Sequence, residues 1–96
     1  MKMWIDDIRV APHGYVWCKT VDEAIHTLSV FHEYIELIDT DHDAGEYVEY
    51  GGDYIRVLDW LAFMEYNIPI RIHSANPVGV DNMRRMIRRY GWTEVF

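Results

Sequence analysis

The stretch Ile38-Asp39-Thr40-Asp41-His42-Asp43 passes from an apolar segment into a run of carboxylates interrupted by one histidine. Similar transitions occur in three other places, namely Ile5-Asp6-Asp7, Gly51-Gly52-Asp53 and Ile70-Arg71-Ile72-His73-Ser74-Ala75-Asn76-Pro77. The strands of a parallel sheet bring their carboxyl ends to one edge, and ligands of open α/β folds bind in the crevice there. The pattern therefore predicts an α/β fold whose acids and histidines gather in one crevice.

Strand and helix signals alternate along the chain on both sides of this stretch. Apolar and β-branched runs predict strands at residues 3–5, 15–18, 34–38, 69–72 and 92–96. Helices are predicted between them, from Thr20 to about His32, from Asp53 to Tyr66 and from Val80 to Tyr90. The resulting order, β-β-α-β-α-β-α-β, indicates a mostly parallel sheet flanked by a reduced number of helices.

Capping signals define the ends of these helices. Thr20 and Glu23 form a capping box at the first helix, and Gly91 is placed to end the last one. We expect Asp53 to cap the second helix, and Asp39 to end its strand facing solvent in a structural role. The first helix is expected to bury one apolar face, consisting of Val21, Ala24, Ile25, Leu28 and Phe31.

Composition limits the possible settings of the protein. The 96 residues suffice for one domain, residues 1–96, and a hydrophobic fraction of 50% allows a core. The single Cys18 excludes an internal disulfide, and Asp6-Asp7 comes too early for a signal peptide, so we expect a cytoplasmic location. No apolar stretch reaches the roughly 18 residues of a membrane span. The net charge of −7 argues against general binding of duplex DNA.

The carboxylates at the strand ends are candidate metal ligands. Asp6 and Asp7 follow the first strand, and Asp41 and Asp43 follow the third, so all four can meet at one edge of the sheet. Mg²⁺ and Mn²⁺ prefer oxygen ligands and keep several waters, which suits such a set. The sequence therefore predicts a site for Mg²⁺ or Mn²⁺ that could bridge to an anionic ligand.

Histidines and neutral polar residues at the same edge predict phosphate chemistry. His42 and His73 lie beside the acids, and two histidines that face one phosphate can share the work of general base and general acid. Ser74 and Asn76 can donate to phosphate oxygens, and can serve at the same time as turn and cap residues of the last helix. Arg9 can reach the crevice or pair with an acid.

Four motifs resemble, in this order, those of the cyclic-phosphate processing receiver-like domain family, over residues 2–92. They are Trp4-Ile5-Asp6-Asp7-Ile8-Arg9, Asp41-His42-Asp43, Gly51-Gly52-Asp53 and His73-Ser74-Ala75-Asn76-Pro77. That family is similar to the receiver domains of two-component signalling, so the resemblance implies a flavodoxin-like parallel sheet with an acidic pocket. In receivers an acidic pair binds Mg²⁺, an aspartate accepts the phosphoryl group and a Ser or Thr ends the fourth strand. These features match Asp6-Asp7, Asp41 and Ser74.

The chain also departs from ordinary receivers. Receivers carry a lysine at the end of the fifth strand, whereas the only lysines here are Lys2 and Lys19. No residues are available for the helix between the first two strands or for the usual last helix. Receivers do not require His42 or His73, and these are the residues that the cyclic-phosphate family adds. The resemblance therefore implies the processing of a cyclic phosphate in place of ordinary phosphorelay.

Three functions stay open on this reading. The first is a metal-dependent phosphoesterase that processes a cyclic phosphate on a nucleotide or an RNA end, with Asp41, His42 and His73 as catalytic residues. The second is a non-catalytic receiver-like module that binds a metal, a phosphate or a protein partner, with the aromatic segment 47–54 as a contact surface. The third is a phosphatase of the haloacid-dehalogenase type with Asp41 as nucleophile, which the order of the acids and the missing lysine disfavour.

Overall fold

A computed structural model describes residues 1–96 and contains one five-stranded sheet in which every neighbouring pair of strands is parallel. The strands are β1 (Lys2–Ile5), β2 (Tyr15–Cys18), β3 (Leu37–Thr40), β4 (Ile70–Ile72) and β5 (Glu94–Val95). Their order across the sheet is β2-β1-β3-β4-β5. This is the flavodoxin-like order, and it confirms the predicted fold class.

Three α-helices connect the later strands. They are α1 (Val21–Phe31), α2 (Ile55–Met64) and α3 (Pro77–Tyr90). Oγ1 of Thr20 accepts a hydrogen bond from the Glu23 N–H at 2.9 Å, and Gly91 ends α3 with a φ of 67°, so both predicted caps are confirmed. None of the helices combines the length with the apolar character that a membrane crossing needs.

The helices cover one face of the sheet. The connections that contain them all advance in the same direction across the sheet, and right-handed crossovers then place the three helices on the same side. Their buried side chains join the inward strand residues in one core, which includes Met3, Ile5, Ile38, Ile70, Val21, Ala24, Leu28, Val57, Leu58, Leu61, Met83 and Ile87. The connection between β1 and β2, residues 6–14, contains no helix, as predicted.

Aromatic side chains take the place of a helix layer on the opposite face. Trp4 and Trp17 are partners in the register of β1 and β2, and both point away from the buried Met3 and Ile5. The indole N–H of Trp4 donates to the carbonyl of Arg9, and that of Trp17 donates to the carbonyl of Asp6, each at 2.8 Å. These bonds hold the first turn of the 6–14 loop against the sheet, where it positions the residues after β1.

Several element boundaries differ from the predictions, and the starts of the third strand and of α3 differ most, by three residues each. The third strand begins at Leu37, because Tyr34 belongs to a 3₁₀ turn (His32–Tyr34) that precedes it. α3 begins at Pro77, three residues before the predicted start, because the side chain of Asn76 caps it and proline is favoured at the first helical position.

The capping role predicted for Asp53 and the burial predicted for Phe31 are not found in the structure. Asp53 does not cap α2; its Oδ1 accepts instead from the Ala44 N–H at 3.0 Å, which links the two ends of the loop between β3 and α2. Phe31, the last residue of α1, is 41% exposed and so does not join the buried face of the helix.

Candidate active site

Three carboxylates meet at the carboxyl ends of β1 and β3. Asp6 and Asp7 follow β1 and Asp41 follows β3, and one oxygen of each side chain lies within 4.8 Å of the others. The two strands are neighbours, and the N–H of Asp41 donates to the carbonyl of Ile5 at 2.8 Å, which ties these ends together. The structure thus brings three of the four predicted metal ligands into one group, which we call the acidic triad.

Negative charge is concentrated at the acidic triad. Burial, and after it the charges of Asp6 and Asp41, raise the pKa of Asp7 above its ordinary value of 3.8. Burial also acts on Asp6, but the N–H groups of Ile8 and Arg9 together with His73 outweigh it and lower the pKa of that carboxyl. Three hard oxygen donors with repelling charges form a set that fits a divalent cation such as Mg²⁺ or Mn²⁺.

Replacing Asp7 with asparagine is expected to stabilise the metal-free protein. A carboxyl whose pKa is raised by folding contributes stability below its unfolded pKa and loses it as the pH rises through the folded pKa. The advantage of Asp7→Asn should therefore grow from about pH 4 towards neutrality and reach about 0.5–2 kcal/mol. Urea unfolding in chelator measures it, with Asp59→Asn on the exposed side of α2 as the control.

If the acidic triad holds a divalent cation, added Mg²⁺ should reverse this order, because the ion would stabilise the native state of the wild-type protein more than that of the variant. An Asp7→Asn variant that is less stable than wild type in chelator at neutral pH would contradict the charge repulsion inferred here.

His73 lies between two buried carboxylates. Its Nδ1 is 2.6 Å from Oδ1 of Asp39, and its Nε2 is 2.8 Å from Oδ2 of Asp6. Trp4 stacks on the imidazole with ring centroids 3.9 Å apart. These contacts hold the ring in one orientation and use both of its nitrogens.

The prediction that Asp39 faces solvent is wrong. Its side chain is 2% exposed, since it lies beside Trp4 in the strand register and beneath His73. The period-two alternation of β3 places Asp39 on the face opposite Ile38. Sequence reasoning could find that face, but it could not find the histidine that covers the carboxylate there.

His42 forms a second carboxylate–histidine pair. Its Nδ1 is 2.7 Å from Oδ1 of Asp43, while its Nε2 has no hydrogen-bond partner in the protein. The hydrogen bond from His42, with a smaller contribution from Asn76, lowers the pKa of Asp43. Gly79 of α3 lies so close to the imidazole that a Cβ atom at this position would overlap it.

Replacing Gly79 with alanine is expected to destabilise the protein by about 1–3 kcal/mol, because the new methyl group overlaps the ring of His42. The sign is informative, since the same change in a helix normally stabilises by about 1 kcal/mol. In a His42→Ala background the overlap is gone, so the change should become neutral or stabilising. Urea unfolding of the four proteins gives the coupling free energy; an equal cost in both backgrounds would contradict the packing.

Asp43 lies outside the acidic triad, which corrects the prediction that all four carboxylates meet. Asp43 belongs to a separate group with His42 and Asp53, whose ligand atoms also lie within 4.8 Å of one another. The side-chain amide of Asn76 donates to both of its oxygens, at 3.2 and 3.3 Å. After Asp41 the chain therefore turns so that Asp43 faces the start of α3, away from β1.

The predicted phosphate-binding residues lie around these groups. Oγ of Ser74 accepts from the Asn76 N–H at 3.1 Å, and Oδ1 of Asn76 accepts from the Gly79 N–H at 3.1 Å. Arg9 donates to the carbonyl of His73, and its guanidinium is 3.9 Å from Oδ2 of Asp6. The turn, cap and ion-pair roles of these three residues are thus present in the protein without a ligand.

A flavodoxin-like sheet with an acidic pair after β1 and an aspartate after β3 defines a receiver-like domain. It has only two lysines, and neither of them stands at the end of the fifth strand, where ordinary receivers carry one. The ammonium groups of Lys2 and Lys19 lie over the rings of Tyr15 and Trp17, 5.7 and 4.6 Å from the ring centroids.

Comparison with known protein families gives a specific assignment within this class. The cyclic-phosphate processing receiver domain matches residues 1–89, and the chain belongs to that family. No curated protein and no solved structure gives a match. The predicted resemblance to this family is thereby confirmed.

Proposed function

We propose that this protein is a metal-dependent phosphoesterase that opens a cyclic phosphate on a nucleotide or an RNA end. One observation carries the proposal: the acidic triad, formed at the carboxyl ends of β1 and β3, lies on the same edge of the sheet as a histidine that a carboxylate orients and whose Nε2 is free. Charge neutralisation and proton transfer are the two functions that opening a cyclic phosphodiester requires.

The acidic triad supplies the metal site of this proposal. Asp6, Asp7 and Asp41 would hold Mg²⁺ or Mn²⁺, which prefer carboxylate oxygens over nitrogen or sulfur. When bound, such an ion supplies Lewis-acid polarisation of a phosphoryl oxygen. His73 holds Asp6 at 2.8 Å and so keeps one of these carboxylates in place.

His42 supplies proton transfer. In the reaction, water adds across one ester bond of the ring: its oxygen bonds to phosphorus, and one proton ends on the released 2′- or 3′-oxygen. The free Nε2 of His42 can take a proton from the attacking water, and the leaving oxygen, which departs on the opposite side of phosphorus, takes a proton from solvent. Asp43, held to Nδ1, orients the imidazole and stabilises its charged form during the transfer.

The start of α3 supplies contacts to the phosphate. Ser74 keeps its hydroxyl proton available, because its Oγ serves as an acceptor for the Asn76 N–H. α3 begins directly afterwards, and a helix N-terminus favours a bound anion. Arg9 adds a half-exposed positive charge next to Asp6.

A non-catalytic binding module is the second candidate, and the environment of His73 favours it. Both nitrogens of His73 are occupied by carboxylates, so this residue is not poised for the proton transfer that the sequence suggests. In this alternative the chain binds a divalent cation or a phosphate group and does not turn it over.

Hydrolysis assays test the proposal. The substrates are 2′,3′-cyclic nucleotides and RNA that ends in a cyclic phosphate, each with Mg²⁺, with Mn²⁺ and with chelator. Metal-dependent ring opening that is lost in Asp41→Ala supports the phosphoesterase, and the product shows which ester bond breaks. Unchanged hydrolysis in His73→Ala would show that His73 has no role in the reaction. Metal binding without any turnover would favour the binding module.

A further inference from the structure

A cavity of about 260 Å³ opens beside the acidic triad, between the loop that follows β1 and the loop that follows β3. Its lining consists of Asp7, Ile8, Gly45, Glu46 and Tyr47. The chain leaves β1 towards β2 on one side and returns to β3 on the other, so this crevice is the topological switch point of the sheet. Ligands of open α/β folds bind at this position.

The polar side-chain groups of Glu46 and Tyr47, which line the cavity, lack hydrogen-bond partners within the protein. Ile8 is 78% exposed and gives the cavity an apolar wall. Tyr47 presents a partly exposed ring, and its hydroxyl makes no hydrogen bond. The carboxylate of Glu46 has neither a hydrogen bond nor an ion pair in the protein. An apolar wall, an aromatic ring and a free acceptor form a set that suits a flat heterocycle with N–H donors.

We propose that this cavity binds the base of the substrate nucleotide and that it prefers guanine. The inference rests on the proposed function, since Asp7 belongs both to the cavity and to the acidic triad that would serve the phosphate. Guanine presents two adjacent donors, N1–H and the N2 amino group, and a carboxylate can accept both. Adenine and cytosine each present one amino group on this edge, and uracil presents one N–H.

The backbone supports this placement of the loop. Gly45 has a φ of 56°, and a Cβ atom on it would collide with the carboxylate of Asp7. Only glycine therefore lets the loop after β3 approach Asp7 so closely, and the next two residues, Glu46 and Tyr47, are placed at the mouth of the cavity as a result.

The test measures binding separately from turnover. Calorimetry with 3′-GMP, 3′-AMP, 3′-CMP and 3′-UMP, each in the presence of Mg²⁺, should give the tightest binding for 3′-GMP. Glu46→Gln should remove that preference by weakening 3′-GMP about fivefold or more, because one of two acceptors becomes a donor. Glu49→Gln, an exposed change in the same loop, is the matched control and should leave the preference intact.

A second pair of variants tests whether the ring of Tyr47 stacks on the base. Tyr47→Ala should weaken all four nucleotides about fivefold or more, whereas Tyr47→Phe keeps the ring and should bind as wild type does. Equal binding of the four nucleotides, or a guanine preference that survives Glu46→Gln, would overturn the inference.

The outcomes separate this inference from the proposed function. A guanine preference that depends on Glu46, in a protein that opens no cyclic phosphate, supports the base site and contradicts the phosphoesterase. Ring opening at equal kcat/KM for the four 2′,3′-cyclic nucleotides supports the phosphoesterase and contradicts the base site.

Discussion

Asp41→Asn is expected to abolish detectable Mg²⁺ binding and to lower the hydrolysis of a 2′,3′-cyclic nucleotide by at least about 100-fold. Asp41 is the member of the acidic triad that β3 contributes, and its loss leaves only the two carboxylates that follow β1. The substitution keeps the shape of the side chain and an oxygen that can accept from the His42 N–H, a bond of 2.7 Å. The fold should therefore survive, and the loss can be assigned to the metal site.

Calorimetry with Mg²⁺ and a hydrolysis assay on the same samples provide the measurement. Asp59→Asn removes the same charge from an exposed position on α2 and should change neither quantity. Full activity of Asp41→Asn at saturating Mg²⁺ would exclude Asp41 from the metal site and from catalysis together. Stable transfer of phosphate to Asp41 of the wild-type protein would instead indicate the nucleophilic mechanism.

His42→Ala is expected to lower kcat by a factor of about 10²–10⁴ and to leave the Mg²⁺ affinity unchanged. The reason is that Nε2 of His42 is the free imidazole nitrogen of the site, while Asp43 holds the other nitrogen at 2.7 Å. Asp43→Asn should reduce kcat by a smaller factor, since it disturbs the orientation of the ring without removing it.

The kinetic constants and the metal affinity of these variants distinguish proton transfer from structural damage. His26→Ala, on the exposed side of α1, is the matched control. Because alanine removes the contact with Gly79, the folded state of His42→Ala is verified by urea unfolding before the kinetics are compared. A wild-type kcat in His42→Ala would show that a group other than His42 carries out the proton transfer.

Local sequence patterns were sufficient for most of the fold. The β-branched and aromatic run Tyr15–Cys18 has the strand bounds expected from it, and Thr20 and Gly91 cap helices as expected. These features depend on neighbouring residues alone, since a cap or a short strand is specified within a few positions. β3 begins three residues after its predicted start, because a 3₁₀ turn takes up the first of the predicted strand residues. Whether the chain forms the turn or the strand there depends on packing.

The aromatic segment 47–54, predicted as a contact surface, also depends partly on tertiary packing. Tyr47 and Tyr50 are accessible, but Tyr54 is fully buried and donates to the carbonyl of Lys19 at 2.6 Å. Burial, followed by the charges of the acidic triad, raises the pKa of its hydroxyl. The aromatic pattern of this segment predicts no difference among the three tyrosines, which only the path of the loop into α2 creates.

By itself, the sequence determined that acids from two strand ends meet, because parallel strands bring their carboxyl ends to one edge whatever their detailed register. It did not determine the separate roles of the two histidines, since His42 and His73 stand in similar local patterns. His42 is oriented by Asp43, the next residue, whereas His73 is held by Asp39 and Asp6, 34 and 67 positions away. Such distant contacts depend on the register of β1, β3 and β4, which long-range packing sets, and so only the tertiary structure could decide which imidazole nitrogen stays free.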